Sequence, residues 1–190
     1  MEDQLIPLPP NPTKIATKWA LISLAIGIVI TYAVQFSGLD MNSPVKYLGY
    51  IPFIGGLLLT QKEFKDELGG YLTFGQGFSA GFRFALFNGL LLAIFTYLYL
   101  AILSPDVFAK AMETSRAAMV AKGMSDEQVE KAMAMAIKFG PIGGAFFLAI
   151  WYAILGAILA LIGASIFKKE KTLYDIEREA AANEDTTPAE

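Results

Sequence analysis

The strongest constraint on this chain is a set of long apolar runs that contain no acidic residue. Trp19 to Phe36 and Ile142 to Phe167 are almost uninterrupted, Phe74 to Leu103 is longer still, and a shorter run lies between Val45 and Thr60. About 20 apolar residues in a helix cross the ~30 Å hydrocarbon core of a bilayer. Inside that core the backbone must satisfy its own hydrogen bonds, which leaves helices and closed barrels as the spanning structures. Continuous runs of this length, separated by charged segments, read as membrane-spanning helices. Composition agrees: 55% of the 190 residues are hydrophobic and 17% charged, with a mean hydropathy of +0.48, more apolar than an ordinary soluble domain. The expected fold class is all-α, an integral membrane four-helix bundle with an extramembrane amphipathic helical hairpin between spans 3 and 4.

The chain divides by composition. Residues 1–14, MEDQLIPLPPNPTK, are too rich in proline for a helix and read as a disordered tail. A transmembrane domain over residues 15–171 carries spans at about 19–36, 45–60, 78–103 and 142–167, with the outer hairpin at 104–138. Residues 172–190 form a charged cytoplasmic tail: a helix continuing from Lys168 to about Ala182, then the acidic end NEDTTPAE. The first run is longer than the apolar core of a signal peptide and lacks a small-x-small cleavage site, so it reads as a retained anchor. The second is short and broken by Pro52, Gly55 and Gly56. It crosses only if extended to Val45 with Lys46 snorkelling outward; a re-entrant or interfacial hairpin is the alternative.

Charge favours the crossing. With four spans and both termini in the cytoplasm, Lys14, Lys18, Lys62, Lys65, Lys168, Lys169 and Lys171 all fall on the cytoplasmic side near helix ends. The outer segment holds Lys110, Arg116, Lys122, Lys131 and Lys138, spread through a longer mixed-charge hairpin. Its local signals predict two helices: Ser104 as N-cap with Pro105 and Asp106 in the first turn, the capping box SDEQ at Ser125 to Gln128, and Gly123 ending the first helix. Phe108, Met112, Ser115 and Met119 share one face of the first helix, and Val129, Met133, Ala136 and Ile137 one face of the second. These faces are expected to pack on each other and on the membrane surface.

Gly77, Gly81, Ala85, Gly89 and Ala93 recur four apart in the third run. Lipid offers no hydrophobic force between helices, so close approach depends on small residues aligned on one stripe. Ala145, Ala149, Ala153 and Ala157, or Gly156, Ala160 and Ala164, offer matching surfaces on the last span. Packing within the bundle is the favoured reading over an oligomer seam or partner groove. Arg83 reads as a boundary residue that snorkels to headgroup phosphates, with a headgroup or anion contact formed by Arg83, Gln76 and Ser79 as the alternative. Asn88 reads as an interhelical hydrogen bond. The methionines of the hairpin read as adaptable packing rather than a soft-metal site.

The chain has no cysteine and no histidine. Thiol nucleophiles, disulfides, thiolate or imidazole metal sites and imidazole acid–base chemistry are therefore excluded. No basic face with interleaved aromatics points to nucleic acid. The spans lack the midplane carboxylate usual in ion-coupled transporters. Asp126, Glu127 and Glu130 in the hairpin have no nucleophile beside them, and the first two are ordinary acids of a helix N-terminus.

The order of parts, with GGYLTFGQGF leading into the third span, GMSDEQVEK in the hairpin and IFKKE closing the last, resembles the uncharacterised Bacteroidota-type bacterial membrane family called domain of unknown function 4199. The resemblance covers Ile15 to Lys171. It implies a small four-span inner-membrane protein and transfers no catalytic or binding residue. The expected protein is a non-enzymatic accessory or scaffold subunit without a cofactor, with the lipid bilayer, a second copy or another membrane protein as partner. A small-solute transporter or channel subunit with a polar path near Arg83 and Asn88 is the alternative.

Overall fold

The computed structural model describes residues 10–38 and 44–184, without the side chains of Lys46 and residues 179–184. Its regular elements are helices, apart from one isolated bridge. The chain is all-α.

Helix α1, Pro12–Phe36, opens with Asn11 as N-cap: its side chain accepts from the amides of Thr13 and Lys14, and Pro12 takes the first helical position, where its missing N–H is no loss. The expected disordered tail therefore ends earlier than residue 14, and residues 1–9 lie outside the described residues. Pro44–Gly49 form a 3-10 turn, and α2 runs over Tyr50–Glu67. Gly69 and Gly70, with φ of +76° and +87°, reverse the chain where a side chain would be strained. Helix α3, Phe74–Leu98, starts on a capping box of Thr73 and Gln76 and runs into a π-turn at Tyr99–Leu103.

Helix α4, Pro105–Ala121, ends in a Schellman motif: the Gly123 amide donates to Val120 and the Met124 amide to Met119. Ser104 holds the N-cap position of α4 but makes no side-chain capping bond. Helix α5, Asp126–Phe167, starts on the capping box of Ser125 and Gln128 and continues for 42 residues with Pro141 inside it. The second hairpin helix and the last span, expected as separate elements, are thus one helix about 63 Å long. A proline deletes one backbone bond and crowds the preceding turn, yet the helix on either side carries through it. A helical tail continuing directly from the last span is also corrected. The chain leaves the helix at Lys168, pairs Lys169 with Leu72 through two backbone hydrogen bonds of 2.8 and 2.9 Å, and only then forms α6, Leu173–Glu184.

Side-chain ties fix the helix directions. Asn88 of α3 reaches Ala20 of α1 and Tyr99 reaches Gln35, so α1 and α3 run parallel. Gly77 faces Ala164, Gly81 faces Ala160 and Gly89 faces Ala149, so α5 runs against α3. Lys18 pairs with Glu63 and Ser23 with Pro52, so α2 runs against α1. Asn11 and Lys169 therefore lie at one end of the assembly, here called the near end.

Three helical segments are long and apolar enough to cross a membrane: Pro12–Phe36, Phe74–Leu103 and Asp126–Phe167. Their outward faces carry large apolar side chains, among them Val29, Leu90, Ile150 and Ile158, all more than half exposed except Ile150 at 44%. A surface of this kind suits lipid and marks a membrane protein.

Helix α2 is not among the three. Its apolar part, Tyr50 to Thr60, is about 17 Å long. Its first turn also lies at mid-depth, because the Pro52 carbonyl accepts from Ser23 and Tyr50 stacks on Tyr152 with ring centroids 5.8 Å apart. From Ser23, α1 climbs about 20 Å further to Phe36. The break foreseen at Pro52, Gly55 and Gly56 is thus displaced: the helix runs through all three, and the irregular backbone is the 3-10 turn before it.

Candidate functional site

The small residues of α3 lie against α5. Gly77, Gly81, Ala85, Gly89 and Ala93 are all buried in α3. A Cβ added to Gly81 would lie 3.0 Å from the Ala160 Cβ, and one added to Gly77 would lie 3.2 Å from the Ala164 Cβ. On α5 a Cβ at Gly156 would lie 2.1 Å from that of Ala85. The mating surface is Gly156, Ala160 and Ala164, joined further along by Ala149 and Tyr152. At these separations the two backbones meet with almost no side chain between them, which maximises dispersion contact in the absence of a hydrophobic force.

Gln61 of α2 is set into this seam. It is wholly buried, and its Nε2 donates to the carbonyls of Gly77 at 3.0 Å and Ala160 at 2.9 Å. One amide thereby ties α2 to both α3 and α5. The side chain fits because Gly81 and Gly163 leave notches: an added Cβ would lie 2.7 Å from Gln61 Nε2 at the first and 1.9 Å from Gln61 Oε1 at the second. Gln61 Oε1 has no hydrogen-bond partner among the described residues. Gln61 is not among the residues singled out from the sequence. The signal was available: Phe53, Leu57, Gln61 and Phe64 fall on one face of α2, and that face is buried.

Asn88 is buried, and its Nδ2 donates to the Ala20 carbonyl at 3.2 Å, linking α3 to α1. Arg83 lies elsewhere. It is exposed and donates to the Thr13 hydroxyl at the start of α1. Five residues apart on a helix, Arg83 and Asn88 point in directions roughly 140° apart. Gln76 is engaged in the capping box with Thr73, and no hydrogen bond joins Ser79 to Arg83 among the described residues. Gln76, Ser79 and Arg83, the alternative headgroup or anion contact, recur along one side of α3 and make no hydrogen bond to one another among the described residues.

The near end carries two further ties. Glu63 accepts from Lys18 and, at 2.8 Å, from the Trp19 indole N–H. Partial burial pushes its carboxyl up, but the hydrogen bonds from Lys18 and Trp19 outweigh this and hold it below the usual carboxylate range. Around the Leu72–Lys169 bridge, the ammonium groups of Lys169 and Lys171 sit 5.0 and 5.3 Å from the Tyr71 ring centroid. Asp175, held low by hydrogen bonds from Thr172, caps the start of α6.

In the hairpin, Phe108, Met112, Ser115 and Met119 form the half-buried face of α4. Their counterpart on α5 is Val129, Ala132, Met133, Ala136 and Gly140, with the Phe108 ring against Gly140. Ile137, expected on that face, is 60% exposed, because the facing stripe follows steps of three and four from Val129 and misses it. Among the described residues no group of acidic side chains is placed to hold a metal. Among the described residues the buried polar side chains are those of Ser23, Thr60, Gln61 and Asn88.

No curated protein and no solved structure matches this chain. One family does, over residues 18–169, a range that takes in the seam, the Gln61 junction, the hairpin and the Leu72–Lys169 bridge. With most of its length matched, the chain belongs to the family described as protein of unknown function (DUF4199).

Proposed function

We propose that this protein is a non-enzymatic subunit of the bacterial inner membrane that crosses the bilayer four times, keeps both ends in the cytoplasm, and acts as an accessory or scaffold through its outer hairpin. The observation that carries the reading is the continuity of α5. The same helix that packs along α3 extends without interruption into the hairpin, so anything docked there is mechanically coupled to the membrane segment.

Helix α4 packs on α5 and on the π-turn before it, and leaves its outer face uncovered. Val120, Ile137 and Phe139 are each more than half exposed on the hairpin. Exposed apolar side chains beside charged ones suit a protein surface better than water. Four crossings also gather the lysines flanking α1, α2 and α5 on one side, as the positive-inside bias requires.

Crosslinking and native mass spectrometry on protein gently extracted from its own membrane test this. The expected result is a defined complex, with a second copy or another membrane protein, that dissociates in an Ile137→Lys, Phe139→Lys double variant. A lone monomer carrying only lipid overturns the reading.

A further inference from the structure

Because α2 begins at mid-depth, the space above its first turn is bordered by α1, α3, α5 and the 3-10 turn but filled by none of them. A cavity of about 130 Å³ remains there, with Ser23, Thr31, Pro52, Asn88 and Tyr152 in its wall and Gly27 and Gly49 adding no side chains to fill it. The geometry points to this cavity as a binding pocket for a small uncharged molecule that both donates and accepts hydrogen bonds.

The wall sets Ser23, Thr31, Asn88 and Tyr152 among the apolar side chains of Leu24, Phe53, Leu92 and Phe95, and part of the bonding capacity of its polar groups is unused. Tyr152 is 8% exposed, and its hydroxyl has no hydrogen-bond partner among the described residues. Asn88 is 4% exposed; its Nδ2 is occupied by the Ala20 carbonyl, and its Oδ1 accepts from no described residue. Neither atom is walled off, since among the described residues the fully enclosed side-chain polar atom lacking a partner is Gln61 Oε1. Both residues line the cavity. Ser23 and Thr31 spend their protons on the carbonyls of Pro52 and Gly27, which leaves their oxygens as acceptors.

The inventory is therefore two donors, the Tyr152 O–H and the second Asn88 N–H, among several acceptors. No charged residue lines the space, so an ion would find no counter-charge to offset its dehydration. A cavity of about 150 Å³ holds a six-carbon ring, so this one takes a molecule of similar heavy-atom count or a few waters. The pocket is independent of the hairpin role.

The absence of cysteine supplies a clean probe. Ser23→Cys places the chain's single thiol in the wall. Thr60→Cys is the dry reference, because Thr60 is wholly buried and its hydroxyl donates within its own helix to Gly56. Each variant is reconstituted in lipid nanodiscs and moved into D2O, and conversion of S–H to S–D is followed in the infrared. The thiol at position 23 is expected to exchange at least about tenfold faster than the one at position 60, which must await local opening.

Glycerol then separates the sources of the occupant. A saturable shift of the position-23 band that disappears in Tyr152→Phe identifies an organic solute; rapid exchange without such a shift identifies water. Exchange at position 23 no faster than at position 60 overturns the pocket. If Ser23→Cys does not assemble, Thr31→Cys carries the same comparison.

Discussion

The two halves of the membrane segment are held together by opposite means. At the near end, where α2 runs its full course, four helices share the cross-section, and the contacts are made by Gly77, Gly81, Gly163, Ala160 and Ala164 around the one large polar side chain of Gln61. At the far end α2 has stopped, three helices remain, and large rings bridge the wider gaps. Tyr99 of the π-turn meets Tyr32 of α1 edge-on at 6.0 Å and stacks on Phe95 of its own helix at 5.8 Å. Small residues buy contact by letting backbones approach, whereas aromatics supply it across a distance. The near half is consequently intolerant of added volume, and the far half tolerates irregular backbone, a π-turn and a cavity.

The largest effect should come from adding volume to the near half. In Gly81→Leu the new side chain has to displace Gln61 and push α5 away at Ala160, with contacts of 2.7 and 3.0 Å already at the Cβ. Overpacking costs of 1–3 kcal/mol are usual in cores, and loss of the Gln61 hydrogen bonds adds to them, so a destabilisation of about 3 kcal/mol or more is expected from SDS-titration unfolding. Gly75→Leu, on the same helix with nothing near its Cβ, should be close to neutral. Equal effects at the two positions would erase the distinction between the halves.

Gln61→Met comes next. The thioether keeps the length and flexibility of the side chain and fills the same notch, but forfeits both donated hydrogen bonds. It also removes the orphaned Oε1, which carries its own burial cost. Interhelical hydrogen bonds in membranes average about 0.6 kcal/mol, so a loss of about 1 kcal/mol is expected by the same titration. A stabilised variant would show that the orphaned oxygen outweighs the two bonds and that the junction is held by packing alone.

Much of this could be read in the sequence because the bilayer imposes it. Apolar runs without acids give the long helices, and SDEQ and Gly123 mark helix ends by hydrogen bonds that are local in the chain. What escaped is set by contacts distant in sequence. Whether α5 breaks at Pro141 depends on what holds the helix on either side of the missing bond, and the α4 face supplies part of that at Gly140. The strap pairing Leu72 with Lys169 joins residues of unremarkable local composition. Gln61 was hidden by its charged neighbours, Lys62 on the wet side of the same turn and Glu63 half-buried against α1. The cavity beside Tyr152 follows from where α2 starts relative to α1, a depth that hydropathy does not encode.

The smallest effect should come from the far half. Tyr99 donates to Gln35 Oε1 at 2.8 Å, the polar tie between α1 and the π-turn, and Gln35 itself is exposed. Tyr99→Phe deletes that hydrogen bond and leaves the ring contacts with Tyr32 and Phe95 in place. With lipid headgroups and water available to replace the lost partner, the cost should be about 0.5 kcal/mol, at the low end for such bonds. If rings rather than polar ties hold this half, Tyr99→Ala must cost several times more than Tyr99→Phe, since it removes both aromatic contacts and leaves a void beside Phe95. Equal losses for the two variants would instead mean that the hydroxyl alone holds α1 to the π-turn, and the far half would then depend, like Gln61 at the near end, on a single polar side chain.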